Sequence, residues 1–137
     1  MDQLREKRYR DKINYITENL HYFDTVPKNE LEKRGLFYTV QTSIEGIIDM
    51  IAMALKDIGI EIMEDAYNID KAIEMFKMSK EQGERLKLAN GMRNILVHRY
   101  NGVDDAIVLD SLGELKRVLV DWIEIIESFL KKVTGDK

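Results

Sequence analysis

The chain has 137 residues, no cysteine, one proline and a net charge of −4. That length fits one domain, residues 1–137, which can bury a core without staples, and the missing cysteine excludes a disulfide framework and a thiolate metal site. The charged opening MDQLREKRYRDK is not followed by the apolar segment of a signal peptide, and no apolar run approaches the ~20 residues of a membrane span, so a cytoplasmic protein is expected.

Periodicity is helical throughout. The first helix is expected over about residues 2–23, where Tyr9, Ile13, Ile16, Leu20 and Phe23 form one apolar stripe. The DTVPKN segment breaks it. Asn29 with Glu32 three positions on resembles a capping box and opens a second helix that runs to about Asp57. Its stripe is Phe37, Val40, Ile44, Ile47, Ile51 and Leu55, and Gly59 ends it. A loop is expected around EIMEDAYN, then a short third helix over about residues 69–78 with Ile73 and Phe76 inward. Gly83 marks a break before a fourth helix reaching about Arg99, and Asn101-Gly102 reads as its stop. The fifth helix, about residues 105–132, carries Leu112, Leu115, Leu119, Trp122, Ile126, Phe129 and Val133 at gaps of three and four, a seam for sister helices or a second subunit. The expected fold is all-α: an antiparallel bundle of four main helices plus a short one.

Charge is uneven along this bundle. Residues 77–100 carry six basic side chains against two acidic ones, a local +4 that leaves −8 on the rest. A polyanion is therefore expected to be met locally, unless these lysines and arginines merely solvate a helix face. Glu61, Glu64 and Asp65 lack calcium-loop spacing and read as solvated loop charge. Gln41, Glu45 and Asp49 repeat every four residues on the second helix, either as a solvent-facing stripe or opposite a cation such as Arg93.

The segment GMRNILVHRY, residues 91–100, concentrates the chemistry. There is no phosphate-binding glycine loop and no nucleophile elbow, and with two histidines no metal or cofactor is expected. His21, beside Tyr22 and Phe23, reads as an ordinary partly exposed histidine. His98 has different company. Imidazole exchanges a proton near neutral pH, and Arg93 offers a permanent planar fork for phosphate. The pair suffices for metal-free RNA cleavage: the histidine moves the proton of the 2′-hydroxyl or of the leaving 5′-oxygen, and the arginine holds the scissile phosphate. Five residues, however, turn a helix about 140° beyond one full turn. Arg93 and His98 do not share a face, whereas Arg93 and Tyr100 do. One chain alone holds an incomplete constellation, which a distorted last turn or a two-fold partner would complete. Met92, Ile95 and Leu96 are expected to pack inward.

Arg93, Asn94, His98 and Tyr100 spell R-N-x-x-x-H-x-Y. This resembles the HEPN superfamily, and within it the HepT-type toxins. The flanks YTVQTSIEGIIDMIAMALKDIG, with Glu45 and Asp49, and YNIDKAIEMF resemble the second helix and the following short segment of those proteins. The resemblance implies a helical HEPN fold and a homodimer whose motifs meet in a shared cleft. It further implies a metal-independent endoribonuclease toxin with Arg93 and His98 catalytic and Asn94, Glu45 and Asp49 in support. The implied partner is a minimal nucleotidyltransferase antitoxin that transfers AMP to the motif tyrosine, Tyr100. Arg99 departs from relatives that often carry an acidic residue there, and its added charge is expected to favour RNA.

Two other readings stand beside the toxin. One is a non-catalytic HEPN-like module that binds a nucleotide or docks on a nucleotidyltransferase. The other is a structural bundle in which the Arg-His-Tyr helix end is surface decoration.

Overall fold

The computed structural model describes residues 1–99, 102 and 104–135. Five α-helices follow one another: α1 (Gln3–Leu20), α2 (Glu30–Asp57), α3 (Asp65–Met75), α4 (Lys80–Val97) and α5 (Asp105–Thr134), with a 3₁₀ turn (His21–Asp24) after α1. No strand occurs among the described residues. The long helix α2 is central, packing against α1, α3, α4 and α5. The expected stripes of α1, α2 and α5 enter one core, where Tyr9, Ile44, Ile51, Leu119, Trp122 and Ile126 are almost fully buried. The α5 seam is thus consumed by sister helices, with Val133 only partly covered.

Helix ends follow local chemistry. Asn29 caps α2 by accepting from the Glu32 amide at 2.8 Å, and Glu32 in turn accepts from the Lys28 amide, one residue short of a strict capping box. Gly59 takes a left-handed conformation (φ +84°) just past α2, as its position predicts.

Several boundaries differ from expectation. Helix α3 starts four residues early, at Asp65. The Asn68 amide bonds both the N–H and the C=O of Met63, which folds the entry to the helix and uses polar residues that resemble loop. It also ends early, at Met75. Lys77 adopts φ +54° and the Met78 amide donates to the Ile73 carbonyl, a Schellman closure made without glycine.

Gly83 is no break. Helix α4 begins at Lys80 behind a full capping box of Ser79 and Gln82, and Gly83 is buried within it. A Cβ there would stand 1.8 Å from Ile73 Cδ1, so the glycine permits the close approach of α3 and α4. At the other end α4 stops at Val97, with His98 as C-cap, and Gly102 turns the chain at φ +93°.

No helix among the described residues is long and apolar enough to cross a membrane.

Candidate active site

Arg93 lies on the half-buried side of α4 and is held from three directions. Its Nη2 donates to Asp65 Oδ2 at 3.0 Å and to Asn90 Oδ1 at 3.2 Å, and its Nε reaches the same Asn90 oxygen at 3.4 Å. Asn90 also donates to Asp65 at 3.1 Å, closing a small ring of hydrogen bonds. Nη1 faces Glu45 of α2 at 3.9 Å, a longer ion pair. Two edges of the fork are therefore committed to positioning, while the Nη1 edge keeps the weaker contact. A planar guanidinium pinned in this way is pre-oriented to meet an oxyanion.

Asp65 is the residue that sequence reasoning missed. It is the first residue of α3 rather than a solvated loop charge, and it binds Arg93. Its signal was hidden because Asp65 and Arg93 lie 28 positions apart and share no motif.

The polar stripe of α2 divides. Glu45 faces Arg93, so the cation reading holds there in preference to a solvent-facing stripe. Asp49 is exposed and instead pairs with Lys12 of α1 at 3.4 Å. Glu45 and Asp49 line a groove of about 330 Å³ between α1 and α2, together with Asp11, Lys12, Tyr15 and Thr42. The structure brings Glu45 to Arg93 and turns Asp49 toward a different neighbour. No group of three or more His, Asp or Glu residues placed to hold a metal ion occurs among the described residues.

Asn94 and His98 are exposed, on the outer side of α4. His98 caps the helix with φ −100° and ψ 22°, and its amide donates to Asn94 O at 3.2 Å. His98 stands five positions after Arg93, about 140° round an ideal helix beyond one full turn. The outer face also carries Leu88 (76% exposed) and Ile95 (44% exposed), with open space above Gly91. Leu88, Gly91, Ile95 and His98 recur at gaps of three and four, so they share one stripe. Ile95 was expected inward, but only Leu96 is buried there, with Met92 partly covered. Tyr100 lies outside the described residues. His21 is exposed on the 3₁₀ turn.

Four of the six basic side chains in segment 77–100 are paired with carboxylates. Arg85 pairs with Glu81 and Glu114, Lys87 with Asp70 and Glu84, and Arg93 with Asp65 and Glu45. Arg99 is likewise committed, to Asp105 and Glu30. Those carboxylates come mostly from distant stretches of chain, so a count along the sequence overstated the local positive field.

Comparison with known proteins agrees with this architecture. The family model described as Ribonuclease HepT-like matches residues 7–132. A protein of Archaeoglobus fulgidus named "Putative RNase" is 41% identical over 130 residues, covering 95% of this chain and 98% of its own. A second protein of that organism and name is 30% identical over 136 residues, covering 98% of each chain. The solved structure of YutE from Bacillus subtilis, a cytosolic protein of unknown function, superposes with a TM-score of 0.85 at 19% identity. It covers 96% of this chain and 94% of that one, and shares the fold. A helical bundle whose sequence carries R-N-x-x-x-H-x-Y, matched over most of its length by this family model, belongs to the HepT-like ribonuclease family of the HEPN superfamily.

Proposed function

We propose that the chain is a metal-independent endoribonuclease, the toxin of a toxin–antitoxin pair, which acts as a homodimer. The observation that carries this reading is the placement of Arg93 and His98. Arg93 is braced by Asp65 and Asn90 on the inner side of α4, while His98 ends an exposed apolar stripe on the outer side. One chain thus offers half of each of two sites. A second copy packed on the Leu88–Gly91–Ile95 stripe would cover exposed apolar area and bring two motifs to one cleft.

In that cleft one His98 imidazole takes the 2′-hydroxyl proton, and the 2′-oxygen attacks phosphorus. The P–O5′ bond breaks, and the 5′-oxygen takes a proton from the imidazolium of the partner's His98. The products are a 2′,3′-cyclic phosphate and a 5′-hydroxyl end. Arg93, through its Nη1 edge, balances the charge that builds on the non-bridging oxygens. Asn94 adds a polar contact, and Glu45 and Asp49 orient neighbouring cations.

The antitoxin in this reading is a minimal nucleotidyltransferase. It transfers AMP from ATP to the Tyr100 hydroxyl, forming a tyrosyl–phosphorus bond and releasing pyrophosphate. The bulk and negative charge then oppose RNA phosphate at the cleft.

Purified protein incubated with RNA in a chelator should cleave it. Arg93→Ala and His98→Ala should each lower the rate by about 100-fold or more with unchanged helicity. Undiminished cleavage by both variants overturns the assignment. Tyr100→Phe should fail to gain adenylate mass on co-expression with the antitoxin, and mass gain on that variant places the acceptor elsewhere.

A further inference from the structure

The residue after His98 is Arg99, and its environment explains what it does. Arg99 is about one-fifth exposed and lies over the Phe37 ring at 5.0 Å. Its fork takes both oxygens of Asp105, Nε at 3.3 Å and Nη2 at 3.0 Å, and Nη2 also reaches Glu30 at 3.2 Å. Lys33 closes the group by bonding Asp105 at 2.8 Å and Glu30 at 3.1 Å. Arg34 also bonds Glu30 at 3.2 Å, so three cations share the two carboxylates. The cluster ties three helix ends together: the first turn of α2, the exit of α4 and the first turn of α5.

We infer that Arg99 is a positioning residue: it clamps the exit of α4 to α2 and α5 and thereby fixes the backbone that presents His98. An arginine spent in this way does not face RNA. Its charge is met by Asp105 and Glu30, and a fork bonded to both carboxylates with its guanidinium carbon over Phe37 leaves little for a phosphate to take. The expectation that Arg99 strengthens RNA binding is thereby replaced by a geometric role. Lysine is a poor substitute, because it lacks the fork and the planar stack on Phe37.

This inference rests on the ribonuclease reading for its effect on rate, but the anchoring itself is testable without activity. Arg99→Gln, Arg99→Lys and Asp105→Asn should each speed hydrogen exchange of the His98 amide relative to amides in the middle of α4. With a mixed-sequence fluorescent oligoribonucleotide, each variant should lower kcat by about 10- to 100-fold, as loss of positioning does, with KM and its salt dependence unchanged. The double variant Arg99→Gln/Asp105→Asn should be no slower than the worse single one. A phosphate contact by Arg99 gives the opposite pattern. Arg99→Gln would then raise KM and flatten its salt dependence, and Asp105→Asn, by releasing the arginine, would lower KM. That pattern, or unchanged His98 exchange in all variants, overturns the inference. Should Arg99→Gln not fold, Asp105→Asn alone carries both readouts. A parallel His98→Ala that cleaves like the parent overturns the ribonuclease assignment, while the exchange data still decide the clamp.

Discussion

Asp57, at the end of α2, accepts from Arg5 Nε at 3.0 Å and from the hydroxyl of fully buried Tyr9 at 2.7 Å. Burial opposes its ionisation, but the hydrogen bonds from Arg5 and Tyr9 and the Arg5 charge outweigh that, so its pKa lies below the ordinary carboxylate range. Burial, and then the bond to Asp57, push the Tyr9 hydroxyl up, so it stays a neutral donor. Because the folded pKa is depressed, this stabilisation is present above the unfolded value of about 3.9 and is lost as pH falls through the folded value. Asp57→Ala should destabilise the fold by about 1–3 kcal/mol at pH 7, since it strands a buried hydroxyl. In urea melts the gap between variant and parent should shrink only in strong acid; a constant gap down to pH 2 would contradict the linkage. Glu30 shows the same direction, held low by Lys33 and then Arg99, as does Asp105, held low by Arg99 and then Lys33. The clamp on α4 should therefore persist through mildly acidic pH.

Among the elements, α1, α2 and α5 were legible because their apolar residues obey one period over many turns, and burial must follow that period. The α3–α4 corner was not. Glycine and polar residues there resemble punctuation, but Gly83 answers to Ile73 on another helix and Asn68 answers to the backbone of Met63. Such reasons lie in tertiary contact, which spacing along one helix does not record. At the site, the face separation of Arg93 and His98 followed from helical rotation alone. Asp65 did not, because its partner is 28 residues away. Gly83→Leu tests the corner. It should destabilise by about 1–3 kcal/mol, because the added side chain enters space that Ile73 already fills and the helix-propensity gain of up to ~1 kcal/mol cannot offset it. Chemical denaturation measures this, and a stabilised variant would show that α3 and α4 separate freely. Gly91, exposed with open space above it, sets the contrast, since a Cβ there meets nothing within 4 Å.

For the molecule as a whole, the same Gly91 becomes the probe of assembly. In the proposed dimer it lies at the centre of the stripe that meets the second copy. Gly91→Glu should leave helicity and thermal unfolding close to the parent, yet shift sedimentation from dimer to monomer and abolish cleavage. A dimeric, active Gly91→Glu protein would move the interface off α4. Dilution of the parent through its dissociation range should lower activity per chain, because each cleft needs two motifs. The overall charge of −4 fits this arrangement, in which arginines are aimed by carboxylates and do not spread as a positive coat.

The clamp around Arg99 also has a place in time. Its bond to Asp105 spans six residues and can form as soon as the α4–α5 turn closes, whereas its bond to Glu30 spans 69 and must wait for α2 to dock. Contacts of that separation are late to form, because the loop they close costs entropy before any contact repays it. A chain still folding would therefore carry His98 on a helix end tethered on one side only. The residue proposed for chemistry is set last, once the core beneath it is already built.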